Sequence, residues 1–537
     1  MRLKPGAKVF LTIVILILIG VGAYKAGLLN GVINTVAPER RAGGGSVDKD
    51  DFNFGNQDVN VKQEDSRKAE LPPKGGGKLD RPIRVAIVLW GGYAGGFCAN
   101  NGMLPNKDSK FWKDHGIEVE LIQIDDFVAS RDAFRAGGDK GGVDIMWATV
   151  DSFALEYPGL KDLNPRCILQ YDWSRGGDAI AVSRDIRTAS DLKGKKISVA
   201  EGTPSHFFLL YMLAQAGLNA SDVTPVFTND AIEAADLFKA EKVDACVSWS
   251  PNVYMVADER PGAQILASTR EATSLIADIF VARGDFIEQY PDAVSAFCEG
   301  WLEGVEIANS NPDLAAQLMY DGFDGLSSID DSIGMLGDVK LPNAAENRAF
   351  FELDNSTLIG YEQLYDAAQN IWGKVGLLEE KTRPGLTVNT SFLNLATTNT
   401  TTVAAAPEEE FKEFKEPEKN AAPIVTKRIS VYFDTGSSTL DPNAQKILEE
   451  GAELAQTFGS AKVRVIGNTD NVGSRESNVE LSRKRAQAVV DFLVTKYGFP
   501  RDKFEVVGNG PDKPVADNGS EAGRAQNRRT DFEVFGQ

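Results

Sequence analysis

Histidine and cysteine are scarce in this 537-residue chain, which contains two histidines and four cysteines. Metal sites and Cys/His catalytic sites are built largely from these residue types, so we expect no metal site and no Cys/His enzyme. No cysteine precedes Cys98, which excludes a lipoprotein cleavage site. Positive charge is also in deficit, with a formal net charge of −20, and this balance argues against a nucleic-acid partner.

Patterns of catalytic residues are missing as well. No Ser-His-Asp or two-carboxylate arrangement is indicated, and the glycines at 91–92 and 95–96 are not followed by the Gly-Lys-Ser/Thr of a phosphate loop. The sequence therefore predicts a protein that is not an enzyme and uses no cofactor. Its apolar share of 42% and charged share of 25% are typical of folded globular protein.

An apolar run without any carboxylate occupies residues 9–33, and Lys25 is its one charged residue. Crossing a bilayer takes about 20 apolar residues, and the basic residues ahead of the run favour a cytoplasmic start. We predict a cytoplasmic segment at 1–8, an uncleaved transmembrane helix at 9–33 in the inner membrane, and the bulk of the chain in the periplasm. A cleaved signal peptide is the alternative, because Gly20-Val21-Gly22 supplies small residues for a cleavage site.

Two segments have the composition of linkers. Residues 34–79 contain two runs of three glycines, many charges and few large apolar residues. Residues 396–422 combine a threonine-rich run with an acidic run flanked by proline. These linkers separate two predicted folded domains, at 80–395 and 423–537.

Strand-like and helix-like segments alternate in the first of these domains. Apolar strand patterns at 84–90, 117–122 and 143–148 predict an α/β domain with a parallel sheet, whose ligands gather beyond the carboxyl ends of the strands. Ser205 is expected to cap a helix whose free N–H groups form a seat for an anion. The predicted solute-binding residues are Trp90, Gly91, Tyr93, Trp147, Asp151, Ser152, Thr203, Ser205, His206 and Trp249. Core packing is the alternative for Trp147 and Trp249, and a hydrogen bond at the helix start is the alternative for His206.

The runs DLKGKKISVAEGTPSHFFLLYMLAQAGL and KVDACVSWSPNV occupy residues 191–218 and 242–253. In these runs the domain resembles the periplasmic solute-binding proteins of the nitrate/sulfonate/taurine type. The resemblance implies a type II periplasmic-binding-protein fold with the ligand between two lobes, the first at about 81–172 and 275–381 and the second at about 176–268. It also implies that the ligand is a small polar or anionic solute.

The second folded domain contains a candidate pair of opposite charges. Residues 462–466 alternate like a half-buried strand, 468–471 are turn formers, and the apolar stripe from Ala486 to Leu493 predicts a helix. Asp470 then lies at a strand end and faces Arg485 on the helix. Such a pair suits a zwitterion, although a structural salt bridge is the alternative.

The spacing of this stretch resembles the OmpA C-terminal-like family of peptidoglycan-binding domains. Its pattern is met by Gly467, Thr469, Asp470, Gly473, Asn478, Leu481, Ser482, Arg485 and Ala486. An opening motif around 431–440 and a closing motif at 523–529 follow the family as well. The resemblance implies a βαβαββ domain, and thus an α/β and α+β multidomain protein overall. It further implies that Asp470 and Arg485 hold the diaminopimelate of the peptidoglycan stem, with Thr469, Asn478 and, more weakly, Arg529 in support.

The order of segments predicts an inner-membrane-anchored envelope protein that acts as a wall-tethered receptor. Its expected partners are peptidoglycan, a small solute and the inner membrane, and the layout permits a membrane-protein partner or a homodimer. A stator-like ion-driven role is disfavoured because residues 9–33 lack an aspartate. Two alternatives remain: an interaction spacer whose solute-binding fold is empty, and the substrate-binding component of an ABC transporter.

Overall fold

The computed structural model describes residues 76–353, 358–393, 422–431, 433 and 437–536. The predicted transmembrane helix at 9–33 and nearly all of both predicted linkers lie outside the described residues. Within the described ranges, none of the helices combines the length and the apolar character needed to cross a bilayer.

The first folded domain contains two sheets. Its strands are β1 (Ile83–Ile87), β2 (Val119–Gln123), β3 (Ile145–Thr149), β4 (Arg166–Ser174), β5 (Asp178–Val182), β6 (Lys196–Ala200), β7 (Thr224–Thr228), β8 (Ala245–Trp249), β9 (Gln264–Ser268), β10 (Ala277–Ala282) and β11 (Val339–Lys340). Lobe one holds the order β11-β4-β10-β3-β1-β2, and lobe two holds β7-β6-β8-β5-β9. The chain therefore leaves lobe one after β4, builds lobe two, and returns with β10.

Helices connect and cover these strands. They are α1 (Ala94–Asn100), α2 (Lys110–His115), α3 (Phe127–Ala136), α4 (Val150–Leu160), α5 (Pro204–Gln215), α6 (Ala231–Lys239), α7 (Asn252–Glu259), α8 (Gly284–Gln289), α9 (Pro291–Ser310), α10 (Pro312–Gly322), α11 (Ile329–Gly337), α12 (Ala344–Phe350) and α13 (Tyr361–Lys374). α5 is buried over its whole length, because its residues are apolar on every side. The four cysteines are buried and unpaired.

Each sheet is mixed, so the prediction of a parallel sheet is only partly correct. β1 runs parallel to β2 and β3, and β6 runs parallel to β7 and β8. β10 is antiparallel to β3 and β4, and β5 is antiparallel to β8 and β9. In each lobe the first strand after the chain crosses from the other lobe is reversed, and in lobe one the short edge strand β11 is also antiparallel to its neighbour β4. Local sequence carries no signal of these reversals.

Thr269 joins the two segments that cross between the lobes. Its hydroxyl lies 2.8 Å from the Ser174 hydroxyl and accepts the backbone N–H of Gly176 at 2.9 Å. Thr269 is fully buried. Gly176 has a φ of +143°, a conformation that side chains with a Cβ rarely adopt, so the first crossing depends on glycine here. The crossings thus form a compact junction between the lobes.

The C-terminal domain folds around a four-stranded sheet. Its elements are β12 (Val425–Ile429), α14 (Pro442–Ile447), α15 (Glu449–Thr457), β13 (Lys462–Asn468), α16 (Arg475–Tyr497), β14 (Phe504–Gly510), α17 (Glu521–Asn527) and β15 (Thr530–Phe535). The sheet order is β12-β15-β13-β14, with β13 and β14 parallel. The short α17 separates the last two strands, which the expected βαβαββ order left adjacent.

The long helix α16 lies close against this sheet. Its predicted apolar stripe is fully buried, from Ala486 to Leu493. A Cβ on Gly508 of β14 would come within 2.7 Å of the Val479 carbonyl oxygen, so glycine permits this close approach. Asp470 follows β13, and Arg485 lies on α16, so this packing brings the two elements of the candidate site together.

The C-terminal domain also contacts lobe two and the return crossing. The Ser274 N–H donates to the Thr457 carbonyl at 3.2 Å, and the Ala189 N–H donates to the Ile424 carbonyl at 2.9 Å. The rings of Tyr211 and Phe458 lie 6.3 Å apart, and both residues are buried. This contact is therefore a packed interface of backbone hydrogen bonds and buried rings.

Candidate functional site

Asp470 lies in the turn after β13 of the C-terminal domain. One carboxylate oxygen accepts the Val472 N–H at 3.1 Å, which fixes the turn. The other oxygen accepts Arg528 Nη1 at 2.7 Å. Asp470 is 9% exposed, so its charge is partly shielded from water. The arrangement holds a carboxylate beside at least one guanidinium.

Arg485 is held by the segment that precedes α14. Its Nε donates to the Ser437 carbonyl at 3.0 Å, and its guanidinium lies 4.9 Å from the centre of the Phe433 ring. Burial lowers the pKa of Arg485 from its ordinary value, while the charge of nearby Asp470 raises it. Asp470 and Arg485 are therefore within electrostatic reach of each other, as their spacing predicts.

Two predicted supporting residues shape the turn. The Thr469 hydroxyl donates to the Asp470 carbonyl at 2.8 Å, and its N–H donates to the Gly510 carbonyl at 2.9 Å. Asn478 Nδ2 donates to the Val472 carbonyl at 3.0 Å. Through these hydrogen bonds, Thr469 and Asn478 hold the backbone that positions Asp470. They act as positioning residues.

Of the two closing arginines, the structure places Arg528, and not Arg529, on Asp470. Arg529 is 7% exposed and pairs with Asp531, with 3.0 Å between Nε and Oδ1, so it braces β15. Arg528 pairs with Asp470 and also with Glu521 at 2.8 Å. Both arginines lie in the short connection between α17 and β15, and they pair with different carboxylates.

Buried carboxylates lie where the two lobes meet. Asp172 on β4 lies opposite Asp278 on β10, and Asp178 begins β5. Asp151 lies in the first turn of α4. All four are at most 7% exposed. Burial is the largest cause that raises the pKa of each: to about 7 for Asp151 and Asp172, to about 6 for Asp178, and well above the usual range for Asp278.

Aromatic rings accompany these carboxylates. Trp90 Nε1 donates to Asp172 Oδ2 at 2.9 Å. Phe127 makes an edge contact with Trp147, with ring centroids 4.8 Å apart, and stacks near Trp249 at 6.0 Å. Trp90 belongs to lobe one and Trp249 ends β8 of lobe two, so aromatic groups come from both sides of the cleft.

Several predicted solute-binding residues are hydrogen-bonded or packed against other residues of the chain. The hydroxyls of Tyr93 and Tyr171 lie 3.0 Å apart, within hydrogen-bond distance, in the core of lobe one. Ser152 and Thr149 form a capping box at the start of α4, with Thr149 Oγ1 donating to Ser152 Oγ at 2.8 Å. A Cβ on Gly91 would overlap the Met335 carbonyl, so Gly91 serves packing.

At the start of α5, the cap is Thr203 and not the predicted Ser205. The Thr203 hydroxyl accepts the His206 N–H at 3.4 Å. Ser205 instead donates to Asp178 Oδ1 at 2.7 Å. His206 Nδ1 accepts the Gly202 N–H at 3.2 Å, and burial lowers the pKa of His206 to about 4. His206 is therefore a neutral hydrogen-bond acceptor at the helix start.

Sequence reasoning missed Asp172, Asp178, Asp278, Phe127 and Arg528. A usable signal exists for the strand aspartates, because Asp278 interrupts the apolar run 275–282 and Asp172 ends the largely apolar run 167–171. Carboxylates in such runs are costly to bury without a partner and so mark a site. The sequence offers no such signal for Arg528, because it cannot show which of two adjacent arginines, Arg528 or Arg529, reaches Asp470.

Two α/β lobes joined by two crossing segments define the periplasmic-binding-protein fold, and the second domain is an α+β domain with a charged pair beside its longest helix. The NMT1/THI5-like family model matches residues 101–315, and the OmpA family model matches residues 432–528. The chain thus combines a region similar to the NMT1/THI5-like family with a C-terminal region similar to the OmpA family.

Individual relatives match one domain each. Outer membrane protein A of Bordetella avium is 33% identical over 125 residues, which are 23% of this chain and 64% of that relative. A putative binding protein of Brucella abortus is 23% identical over 241 residues, 44% of this chain and 70% of the relative. The chain thus covers just under two thirds of the first of these relatives.

Among solved structures, the aliphatic sulphonate binding protein SsuA from Escherichia coli aligns with a TM-score of 0.44 and 17% identity, over 63% of this chain and 98% of that one. The peptidoglycan-associated lipoprotein from Burkholderia pseudomallei aligns with a TM-score of 0.18 and 36% identity, over 20% of this chain and 88% of that one.

Proposed function

We propose that this protein is a wall-tethered receptor of the bacterial envelope. The C-terminal domain binds peptidoglycan, and the two-lobed domain binds a small solute between its lobes. The apolar residues 9–33 anchor the chain in the inner membrane, so that the bulk of it lies in the periplasm. The partners are then the cell wall, the membrane and a solute.

The observation that carries the wall-binding half is the placement of Asp470 and Arg485. A carboxylate and a guanidinium within electrostatic reach of each other suit the ammonium and carboxylate of a zwitterion such as the diaminopimelate stem. Arg485 is fixed through its Nε at Ser437, and Asp470 is fixed by the Val472 N–H. Both groups are thus oriented before any ligand arrives, which lowers the entropic cost of binding.

Sedimentation with insoluble peptidoglycan sacculi tests this half of the proposal. We expect Asp470→Asn and Arg485→Lys in the full-length chain each to weaken binding by about 30-fold or more, because truncating one partner of a buried charge pair costs at least about 2 kcal/mol. Arg475→Lys is the matched control, since Arg475 is an exposed arginine on the same helix that pairs with Asp512.

Both site variants should keep the unfolding temperature close to that of the parent chain. Binding that is unchanged in both variants would show that wall attachment does not use this pair. Equal losses in the control and the site variants would show that general charge, and not the site, drives sedimentation.

A second candidate function is an interaction spacer within an envelope complex. One observation favours it: the hydroxyls of Tyr93, Ser152 and Thr203 are engaged in hydrogen bonds with other residues of the chain. Under this alternative, no solute would change the unfolding temperature of the chain, while sacculus binding would persist. Isolation of the chain in one complex with a permease and an ATPase would instead support the transporter alternative.

A further inference from the structure

The chemistry of the lobe junction indicates the class of solute, an inference that rests on the proposed solute-binding function. Asp172 and Asp278 are partners in the register of β4 and β10, and Asp178 begins the first strand of lobe two. Burial is the main cause that raises the pKa of Asp151, Asp172 and Asp278, and the charge of nearby Asp178 raises each of them further. The carboxylates therefore form one cluster that spans the junction.

The groups that stabilise this cluster are neutral donors. Asp172 accepts the Trp90 indole N–H at 2.9 Å, Asp278 accepts the Tyr171 hydroxyl at 3.2 Å, and Asp178 accepts the Ser205 hydroxyl at 2.7 Å. Such hydrogen bonds orient a carboxylate but leave its negative charge in place. Asp172 and Asp278 share a proton at neutral pH, so the pair carries one negative charge and Asp178 adds another. Two such charges in a buried site are unfavourable unless a positive charge joins them.

Asp151 is an independent indication that a partner is missing from the site. Its side chain is 3% exposed, and within the described residues neither of its carboxylate oxygens has a hydrogen-bond partner. Buried carboxylate oxygens are normally satisfied, so an unsatisfied pair at a cleft points to a donor that comes from a ligand. The indole N–H of Trp147, four residues earlier, is also buried without an acceptor within that part of the chain.

The aromatic groups near these carboxylates also suit a positively charged ligand. Phe127 contacts both Trp147 and Trp249, Trp90 lies against Asp172, and aromatic faces attract ammonium groups. The guanidinium of Arg131 already lies over the Trp147 ring at 4.5 Å. That arginine pairs with Glu156 through Nε at 2.8 Å and Nη2 at 3.1 Å, while its Nη1 is buried without an acceptor within the described residues.

The N-terminus of helix α5, which the sequence predicts to attract an anion, lies beside a carboxylate of the chain. The sequence predicts that the helix α5 offers its N-terminus to an anionic solute. Ser205 in its first turn donates instead to Asp178, so a carboxylate of the chain itself lies beside this helix end. A sulfonate or nitrate entering the junction would meet that charge and the charges of the neighbouring carboxylates.

We propose that the two-lobed domain binds a cationic solute, a small organic amine or quaternary ammonium compound, through Asp151, Asp172, Asp178 and Asp278 with the surrounding aromatic rings. The carboxylates receive the positive charge, and the rings cover the apolar substituents of the nitrogen. This ligand class is opposite in charge to the anionic solute that the sequence resemblance implies.

Thermal unfolding and titration calorimetry of the full-length chain in detergent test the proposal. The probes are choline, ethanolamine and putrescine, with ethanesulfonate and nitrate as the anionic counterparts. We expect at least one amine to raise the unfolding temperature by about 3 °C or more at saturation, and the two anions to leave it unchanged.

Asp172→Asn should weaken amine binding by at least about tenfold, since it removes one charge and keeps the shape. Because this substitution also relieves repulsion within the cluster, we expect the variant to fold. Trp249→Leu is a second variant that leaves the carboxylates intact and removes one aromatic face, and it should also weaken binding. The control is Asp236→Asn, an exposed aspartate of α6.

Two results would overturn the proposal, and they differ in what they say about the proposed function. Stabilisation by ethanesulfonate or nitrate alone would refute a cationic ligand but keep the solute receptor. No response to any probe, in a sample that still binds sacculi, would refute both the cationic ligand and the solute-binding half of the function.

Discussion

Asp172 and Asp278 lie directly opposite each other on the antiparallel strands β4 and β10, and both are buried. Each lies within the electrostatic influence of the other, and burial raises the pKa of both, more strongly for Asp278. Two carboxyl groups this close cannot both ionise without a large cost, so at neutral pH the pair retains a proton. The lobe junction is thus under electrostatic strain that depends on pH.

The stability of the chain should fall as the pH rises from about 5 to about 7. Over this range the unfolded chain has ionised aspartates, while the folded chain keeps protons on Asp151, Asp172 and Asp278, whose pKa values are raised. The folded state then binds more protons, so the free energy of unfolding decreases with pH. His206 acts in the other direction, since burial lowers its pKa to about 4 and its contribution is lost as the pH falls below about 6.5.

Urea unfolding at about pH 5, 6 and 7 measures this dependence. Asp278→Asn removes one carboxyl group whose pKa is raised and leaves His206 in place. The free energy of unfolding of this variant should therefore decline less steeply with pH than that of the parent chain. Identical slopes in the two proteins would contradict a proton held by the Asp172–Asp278 pair.

Gly92→Ala should disturb the cleft directly. A Cβ at this position would overlap the Asp172 carboxylate, so the carboxylate or the backbone must move. We expect a loss of about 1–3 kcal/mol in the free energy of unfolding, as for overpacked core positions. The Asp172→Asn background provides a control, because it keeps the steric overlap while removing the charge; a similar loss in both backgrounds would identify the cause as steric.

The two closing arginines should behave differently on substitution. Arg528 is the partly exposed partner of Asp470. Arg528→Gln removes it, and we expect weaker sacculus binding with little change in the free energy of unfolding. Arg529→Gln breaks a buried ion pair with Asp531 and should lower the free energy of unfolding by about 3–5 kcal/mol. Sedimentation and urea unfolding of both variants measure these effects, and a reversed pattern would assign the site to Arg529.

Gly459→Glu should separate the C-terminal domain from the first domain without entering either core. A Cβ at Gly459 would collide with the Thr273 hydroxyl on the return crossing. We expect calorimetry of the parent chain to show one cooperative unfolding transition for the two domains, and the variant to show two. Gly334→Glu is the control, because Gly334 is exposed and has open space around its Cβ position; two transitions in the parent chain would contradict a cooperative interface.

Local patterns were sufficient to predict much of the architecture. The strand patterns at 84–90 and 143–148 correspond to β1 and β3, and the stripe from Ala486 to Leu493 is the buried face of α16. Periodicity is a local property, so the sequence alone can reveal it. The OmpA motif similarly placed Asp470 and Arg485 on neighbouring elements, because its spacing encodes a strand, a turn and a helix.

The sequence by itself determined the two folded domains, their α/β and α+β character and the charged pair near residue 470. Only the tertiary structure decided which strands run antiparallel, which closing arginine reaches Asp470, and that Asp172, Asp178 and Asp278 meet. These aspartates are separated by up to 106 residues along the chain but become neighbours because the chain leaves lobe one and returns beside the strand by which it left. The negative charge at the lobe junction therefore depends on the return of the chain to lobe one. No local sequence pattern records that return, so this charge arises only when both lobes are folded.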